Sequence, residues 1–187
     1  PREKIYGLWW AASETDVQDL GAIAKGYNGI TIHNSADEGR VHEDLKTHVY
    51  DKGEGTSPGA ATVGTIAHTR GMIISMLQVE AIRTAQEKFG KGKTMTPEQV
   101  RWGLENLNLT QERLEELGFG EIMRPVRTSC DNHMGDDWAR IAQWDGAKFQ
   151  VVSDWYQADK SVVDPLVKDM AARYAKEKNI TPRDCGK

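Results

Sequence analysis

Two short apolar runs with a capped segment between them constrain this chain more than anything else in it. Lys4 to Trp10 gathers Ile5, Tyr6, Leu8, Trp9 and Trp10 in quick succession and reads as a buried strand. Ser13-Glu14-Thr15-Asp16 follows with the Ser-x-x-Asp spacing of a capping box. It opens a helix whose apolar face is Val17, Leu20, Ile23 and Ala24, and Gly26 stops it. Tyr27 to His33 reads as a second strand around Ile30 and Ile32. Strand, helix and strand within about thirty residues make a β-α-β unit, and a crossover of that kind joins parallel neighbours in one sheet.

The middle of the chain is helical by pattern. Val41, Leu45 and Val49 recur every four residues on a helix ending near Gly53, and Gly53-Glu54-Gly55-Thr56-Ser57-Pro58-Gly59 is a loop by composition. Met72 to Phe89 predicts a long helix with Met72, Met76, Val79 and Ile82 inward and Gly90 as terminator. Thr96-Pro97-Glu98-Gln99 supplies a cap, a proline at the first helical position and the capping-box glutamine. Val100, Leu104 and Leu107 are that helix's buried face, and Thr110 begins a shorter one through Leu114 and Leu117, closed by Gly118. Val126 to Cys130, Ala139 to Trp144 and Phe149 to Trp155 read as strands, the last two joined by a tight turn at Asp145-Gly146. A final amphipathic helix carries Ser161 as cap and Leu166, Met170 and Tyr174 at four-residue spacing, before a non-helical tail. The class is α/β, with more than one packing unit.

Composition narrows the chemistry. The 187 residues suit one large domain or two small ones, and 24 Lys and Arg against 28 Asp and Glu give a net charge of −4. With no basic stripe to displace counterions from a phosphate backbone, a nucleic-acid partner is not expected. No apolar run approaches the roughly 20 residues of a membrane-spanning helix. The opening Pro1-Arg2-Glu3 carries neither an initiating Met nor a signal peptide, and reads as a mature form or a piece of something longer. Cys130 and Cys185 permit one disulfide or stand as two free thiols. A bridge would anchor the tail, and would constrain the unfolded chain by about 4 kcal/mol in the loop-entropy picture.

Catalytic signatures are missing. The sequence has no Gly-x-Ser-x-Gly elbow, phosphate-binding loop, His-Glu-x-x-His or dinucleotide fingerprint, and Gly53-Glu54-Gly55 lacks the preceding strand a phosphate cradle needs. Cys130-Asp131-Asn132-His133, with Asp136 and Asp137, has zinc-binding residue types but no second ligand pair, so a solvated acidic loop is expected and no metal. His42 and His48 are expected on an exposed helix face. His68 precedes Thr69-Arg70-Gly71 at a helix start, where backbone N–H groups either meet an anionic ligand or are simply solvated. Trp9-Trp10-Ala11-Ala12-Ser13 is a strand end running into a capped helix, the place where open α/β sheets bind ligands, and its tryptophans are either ligand walls or core. Without a nucleophile or an acid–base pair, binding is expected rather than catalysis, with no cofactor.

These residues together resemble a known family. The run Gly7-Leu8-Trp9-Trp10-Ala11-Ala12-Ser13-Glu14-Thr15-Asp16-Val17, then Ala24-Lys25-Gly26-Tyr27, is similar to periplasmic substrate-binding proteins of branched-chain amino acid type ABC transporters. So are Arg70-Gly71-Met72 leading to Val79-Glu80-Ala81-Ile82-Arg83, and Gln99-Val100-Arg101-Trp102-Gly103-Leu104-Glu105-Asn106-Leu107. Gln143-Trp144-Asp145-Gly146, Val152-Ser153-Asp154-Trp155 and Ile180-Thr181-Pro182-Arg183-Asp184-Cys185 complete the ordered set, which spans nearly the whole chain.

The resemblance implies a type I periplasmic-binding-protein fold, in which two Rossmann-like lobes trap a small solute by hinge closure. This chain matches the C-terminal half and contains parts of both lobes. Residues 1–30 would belong to lobe two and 31–140 to lobe one, while 141–187 return to lobe two, with crossings near His33 and Ala139. The ligand-binding residues so implied are Trp9, Trp10, Ala11, Ser13, His68, Thr69 and Arg70. Relatives that bind amino acids carry a Glu just upstream of this loop, where Gly7 is the nearest match here, so the resemblance implies an aromatic or aliphatic carboxylate or a small amide as readily as an amino acid. The implied location is the periplasm, the implied partner a membrane permease, and the periplasmic setting implies a Cys130–Cys185 disulfide. A ligand-sensing regulatory domain of the same fold is the alternative, and a flavodoxin-like enzyme half a more distant one. A piece of this kind would leave faces such as the Met72–Ile82 stripe uncovered, which implies a dimer or an exchanged element.

Overall fold

β1 (Tyr6–Leu8) and β2 (Asn28–Thr31) pair in parallel, Tyr6 opposite Asn28 and Leu8 opposite Ile30, in the register expected of a β-α-β unit. The computed structural model describes residues 4–34, 39–135 and 137–185, without the side chains of 57, 58 and 60. Pro1-Arg2-Glu3 and Asp136 therefore lie outside the described residues. The connection between the two strands is not the expected α-helix. It consists of tight 3-10 turns over Trp9–Ala11, Glu14–Asp16 and Gln18–Ala24. Gly21 adopts φ 53°, a left-handed conformation that stops helical propagation and cuts the segment into pieces too short for α-helix. Val17 and Ala24 are buried as read, whereas Leu20 and Ile23 are exposed.

The rest of the sheet is antiparallel. β5 (Trp138–Trp144) lies beside β2, with Asn28 opposite Gln143 and Thr31 opposite Arg140. β6 (Phe149–Val151) returns along β5 through the Asp145-Gly146 turn, and β7 (Tyr156–Gln157) pairs with the opposite end of β5. The expected strand through Trp155 breaks after Val151 because the Ser153 hydroxyl, not a main-chain carbonyl, accepts the Ile141 N–H at 2.8 Å. The sheet is thus mixed, with one parallel pair among the described residues. β1 forms its edge, so Ile5, Tyr6 and Leu8 are exposed rather than buried.

The helices follow their caps. α1 (Arg40–Leu45) continues as a wider π turn over Lys46–Tyr50, and α2 (Ser57–Thr62) occupies part of the expected Gly-rich loop, capped by Thr56. α3 (Ile66–Phe89) begins earlier than the apolar pattern indicates, at a Thr65 cap that accepts the His68 N–H at 3.3 Å. α4 (Pro97–Leu104) carries the expected reciprocal box: Gln99 donates its N–H to Thr96 Oγ1 at 3.3 Å and accepts the Thr96 N–H at 2.9 Å. β3 (Asn108–Leu109) and β4 (Val126–Arg127) pair as a two-stranded ribbon around α5 (Gln111–Glu116), so the strand expected through Cys130 is cut to two residues. Leu107 is buried as expected, but Leu104 is exposed.

The buried side of α3 is rotated from the expected stripe. Ile73, Met76, Glu80, Ala81 and Ala85 face inward, whereas Val79 and Ile82 are exposed. The cause is α4, which approaches so closely that a Cβ on Gly103 would lie 2.0 Å from the Ala81 carbonyl oxygen. Only small residues fit that crossing. α6 (Lys160–Glu177) is capped by Asp159, not Ser161, and buries nothing; Leu166, Met170 and Tyr174 are all exposed. Among the described residues two apolar cores result, and α3 contributes to both. One joins Val17, Ala24, Ala142, Trp144 and Phe149 to Ile66, the first residue of α3. The other packs α3 against the β3–α5–β4 segment through Ile73, Met76, Leu109, Leu114, Phe119, Ile122 and Met123.

Candidate functional site

The segment following β1 and the first turn of α3 are far apart in sequence and meet at Arg70. This side chain donates from Nη1 to the Trp9 carbonyl at 2.7 Å, from Nη2 to the Ala12 carbonyl at 3.2 Å and from Nε to His33 Nε2 at 3.3 Å. Its guanidinium carbon lies 4.1 Å from the centroid of the Trp9 ring, within cation–π range. Arg70 is 9% exposed, and burial lowers its pKa while the Glu14 and Asp16 carboxylates pull the other way. Glu14 also accepts the Ile66 N–H, at 3.1 and 3.2 Å from its two oxygens, satisfying a donor at the α3 start. The Ser13–Asp16 box holds the segment's own geometry, Asp16 accepting both the N–H and the hydroxyl of Ser13 at 2.9 and 2.7 Å.

Three histidines converge on the same turn, which sequence reasoning missed. His33 is fully buried, with Nδ1 2.7 Å from the Asn34 carbonyl. Because Nε2 accepts from Arg70, the hydrogen-bond network assigns the proton to Nδ1 of a neutral ring. Burial depresses its pKa to about 4, the Asn34 hydrogen bond opposing and the Arg70 and Arg140 charges adding to the fall. His42 is buried rather than exposed, its Nε2 3.2 Å from the Thr69 hydroxyl. Its place on one face with Leu45 and Val49, three and seven residues on, was the available signal. The His42 and His68 ring centroids lie 6.4 Å apart, and burial lowers the His68 pKa. His48 is exposed as read.

The seven candidate residues therefore come together but differ in access. Thr69, Arg70 and Ser13 are buried, Trp9 is half-buried beneath Arg70, and Ala11 and His68 reach the surface. Trp10 is 87% exposed. The Ala11 carbonyl accepts the Tyr27 hydroxyl at 2.7 Å. Gly7 lies under that bond, where a Cβ would come 1.9 Å from the Ala11 oxygen and 2.1 Å from the Tyr27 oxygen, so no side chain fits there.

Cys130 and Cys185 form a disulfide, Cα atoms 5.6 Å apart, which removes Cys130 as a thiolate ligand. Arg183 pairs with Glu105 at 2.7 Å beside it, and His133 lies 3.4 Å from the same carboxylate. Among the described residues no group of three His, Cys, Asp or Glu side chains can hold a metal. A cleft of about 510 Å³ separates α4 from the pinned tail, lined by Trp102, Glu105 and Arg183 among others, and contains none of the seven candidates. A groove of about 570 Å³ runs along α3 from His68 over Met72, Met76 and Val79 to Phe119. Among the described residues no helix is long and apolar enough to cross a membrane.

No known family profile and no curated protein matches the sequence. Among solved structures, the chain is similar to an ABC transporter permease from the Pseudomonas fluorescens group, with a TM-score of 0.92 and 39% identity over 99% of this chain and 44% of that one. It also shares a fold with a branched chain amino acid ABC transporter from Thermus thermophilus solved with bound valine, at a TM-score of 0.63 and 20% identity over 85% of this chain and 41% of that one. The chain is thus related to ABC transporter proteins, and spans less than half the length of either structure it matches.

Proposed function

We propose that this chain is the C-terminal portion of the extracytoplasmic solute-binding component of an ABC importer. In this reading the fold is the type I periplasmic-binding-protein fold, and a small amino acid-like or carboxylate solute is captured between two lobes by hinge closure. The observation that carries it is the meeting of residues 9–13 with the start of α3, which leaves Trp10 exposed and His68 half-buried where that helix passes from the sheet core at Ile66 to the other core at Ile73. Trp10, Ala11 and His68 are the solute-facing groups. Trp9, Ser13, Thr69 and Arg70 hold them in place. The absence of space at Gly7 for an ammonium-binding carboxylate favours a carboxylate or amide solute over an α-amino acid.

Apart from Ile66, which enters the sheet core, the two cores support the division into lobe-two residues 1–30, lobe-one residues 31–140 and a return to lobe two over 141–187. The partners are the solute and a membrane permease, and the setting is the periplasm. Exposed Val79 and Ile82 on α3 and Leu166, Met170 and Tyr174 on α6 give the isolated chain a surface to share with a second copy, which light scattering tests.

The function is tested by thermal shift on the full-length reading frame against amino acids, aromatic and aliphatic carboxylates and small amides. A bound solute at a hundred times its Kd adds about 2.7 kcal/mol of stability. Trp10→Ala should abolish that shift and leave the unliganded Tm unchanged. No shift across the whole panel sinks the reading.

A further inference from the structure

Arg70 places a charge where an apolar side chain would be simpler to bury. It bonds no carboxylate among the described residues, the Glu14 and Asp16 charges acting on it only at longer range, and its three hydrogen-bond acceptors are neutral. Desolvating a guanidinium without a bonded carboxylate is costly, and apolar replacements of buried charges are often at least as stable. Stability alone therefore gives a poor account of the residue. What the guanidinium adds is direction, since its planar fork fixes several acceptors at once.

Those acceptors come from three places. Trp9 opens the 3-10 turn that follows β1, Ala12 closes it ahead of the capping box, and His33 lies just beyond β2, where it bridges to Met123. Arg70 itself sits one turn into α3, beyond Ile66. Ile66 is the residue through which α3 enters the sheet core, whereas Ile73 and Met76 of the same helix belong to the other core. The guanidinium therefore holds the Trp9–Ala12 segment and His33 against α3 between Ile66 and Ile73, where that helix passes from one core to the other. Trp10 follows Trp9 and His68 lies two residues before Arg70, so a change in this tie bears on their separation.

We propose that Arg70 is the latch between the two cores, a positioning residue that holds the Trp9–Ala12 segment against the first turn of α3 with His33 as its third anchor. With the latch engaged the cores move as one. With it broken they swing about the crossing at His33, and the distance between Trp10 and His68 changes. The purpose of such a latch, control of a solute cleft, rests on the receptor reading above; the mechanical coupling does not.

The test places nitroxide labels at two exposed positions, one in the turn beside the sheet core and one just past the end of α3, through Ala147→Cys and Lys91→Cys after the native disulfide has formed, and measures their distance distribution by pulsed electron resonance without solute. The parent protein should give one narrow population. Arg70→Met, with unchanged far-UV circular dichroism, should gain a second, longer population. Arg70→Lys keeps the charge but loses the fork, and should also broaden. A merely structural role would lower Tm without changing the distance. A single narrow population in Arg70→Met overturns the latch, and if that variant loses its far-UV signal the Arg70→Lys distribution decides in the same way. Broadening in a protein that no solute stabilises would retain the latch and sink the receptor reading.

Discussion

Arg113 on α5 grips the Glu80 carboxylate on α3 with two hydrogen bonds, Nε to Oε2 at 2.9 Å and Nη2 to Oε1 at 2.7 Å. Arg83 closes on the same carboxylate from its own helix, with Nη2 2.8 Å from Oε2. Glu80 is 2% exposed, yet it is matched on both sides. Burial pushes its pKa up, and the hydrogen bonds from Arg113 and Arg83 outweigh this and hold it below the ordinary value. Removing Arg113 takes away two charge-assisted bonds but leaves Arg83 to pair Glu80, so Arg113→Ala should cost about 1–3 kcal/mol in urea unfolding. The double variant Glu80→Leu with Arg113→Leu should cost clearly less. Equal losses would mean the pair contributes only packing.

Gly7→Ala tests the close approach under the Tyr27–Ala11 bond. The added methyl has to displace either a main-chain carbonyl or the tyrosine ring, and overpacking of this sort costs about 1–3 kcal/mol. Tyr27→Phe removes only the hydrogen bond and should cost about 1 kcal/mol. Thermal unfolding of the two variants should rank them in that order.

His33 gives the chain an acid-side weakness. Its folded pKa of about 4 lies below the ordinary 6.5, so the unfolded state binds more protons between those values. The stability tied to the neutral ring is complete above about pH 6.5 and is lost as pH falls toward 4, by roughly 3 kcal/mol in all. The charges facing the ring are Arg70 from α3 and Arg140 from β5, both of which oppose its protonation. NMR titration of the His33 ring should show no protonation at pH 6, and His33→Gln should flatten the acid side of the stability profile. A ring titrating near 6.5 would contradict the assignment.

Reducing Cys130–Cys185 should cost up to about 4 kcal/mol for a loop of this separation. It should also free Arg183 from Glu105, because the tail has no other covalent tie. Hydrogen exchange in residues 180–185 should rise in the reduced protein while the Thr96–Gln99 box stays protected. Unchanged tail exchange would show the tail to be held by its side chains instead.

The parts of this fold that were legible in the sequence are those written in near neighbours. The Thr96–Gln99 box, the Ser13–Asp16 box, the α5 segment between Thr110 and Gly118 and the β1–β2 pairing all depend on residues a few positions apart or on one short crossover. What local periodicity could not see was a partner. The face α3 buries is chosen by Gly103 and by Arg113, which lies 33 positions from Glu80, so Val79 and Ile82 give a false stripe. The mixed sheet was hidden for the same reason, since β5 reaches β2 from more than a hundred residues away. At the candidate site the sequence named both segments but not their junction. Two of the three acceptors of Arg70 are main-chain carbonyls, which carry no side-chain signature, and the third is a histidine outside both segments.

The last helix is positioned by its ends. Lys160 at its start pairs with Asp137 at 3.2 Å, and beyond its finish Cys185 is bonded to Cys130, while none of its 18 residues is buried between these anchors. At 1.5 Å per residue the helix is a rod of about 27 Å. Its length, rather than any surface it touches, acts as a ruler, so inserting or deleting a turn of this rod would move one anchor relative to the other without disturbing either core.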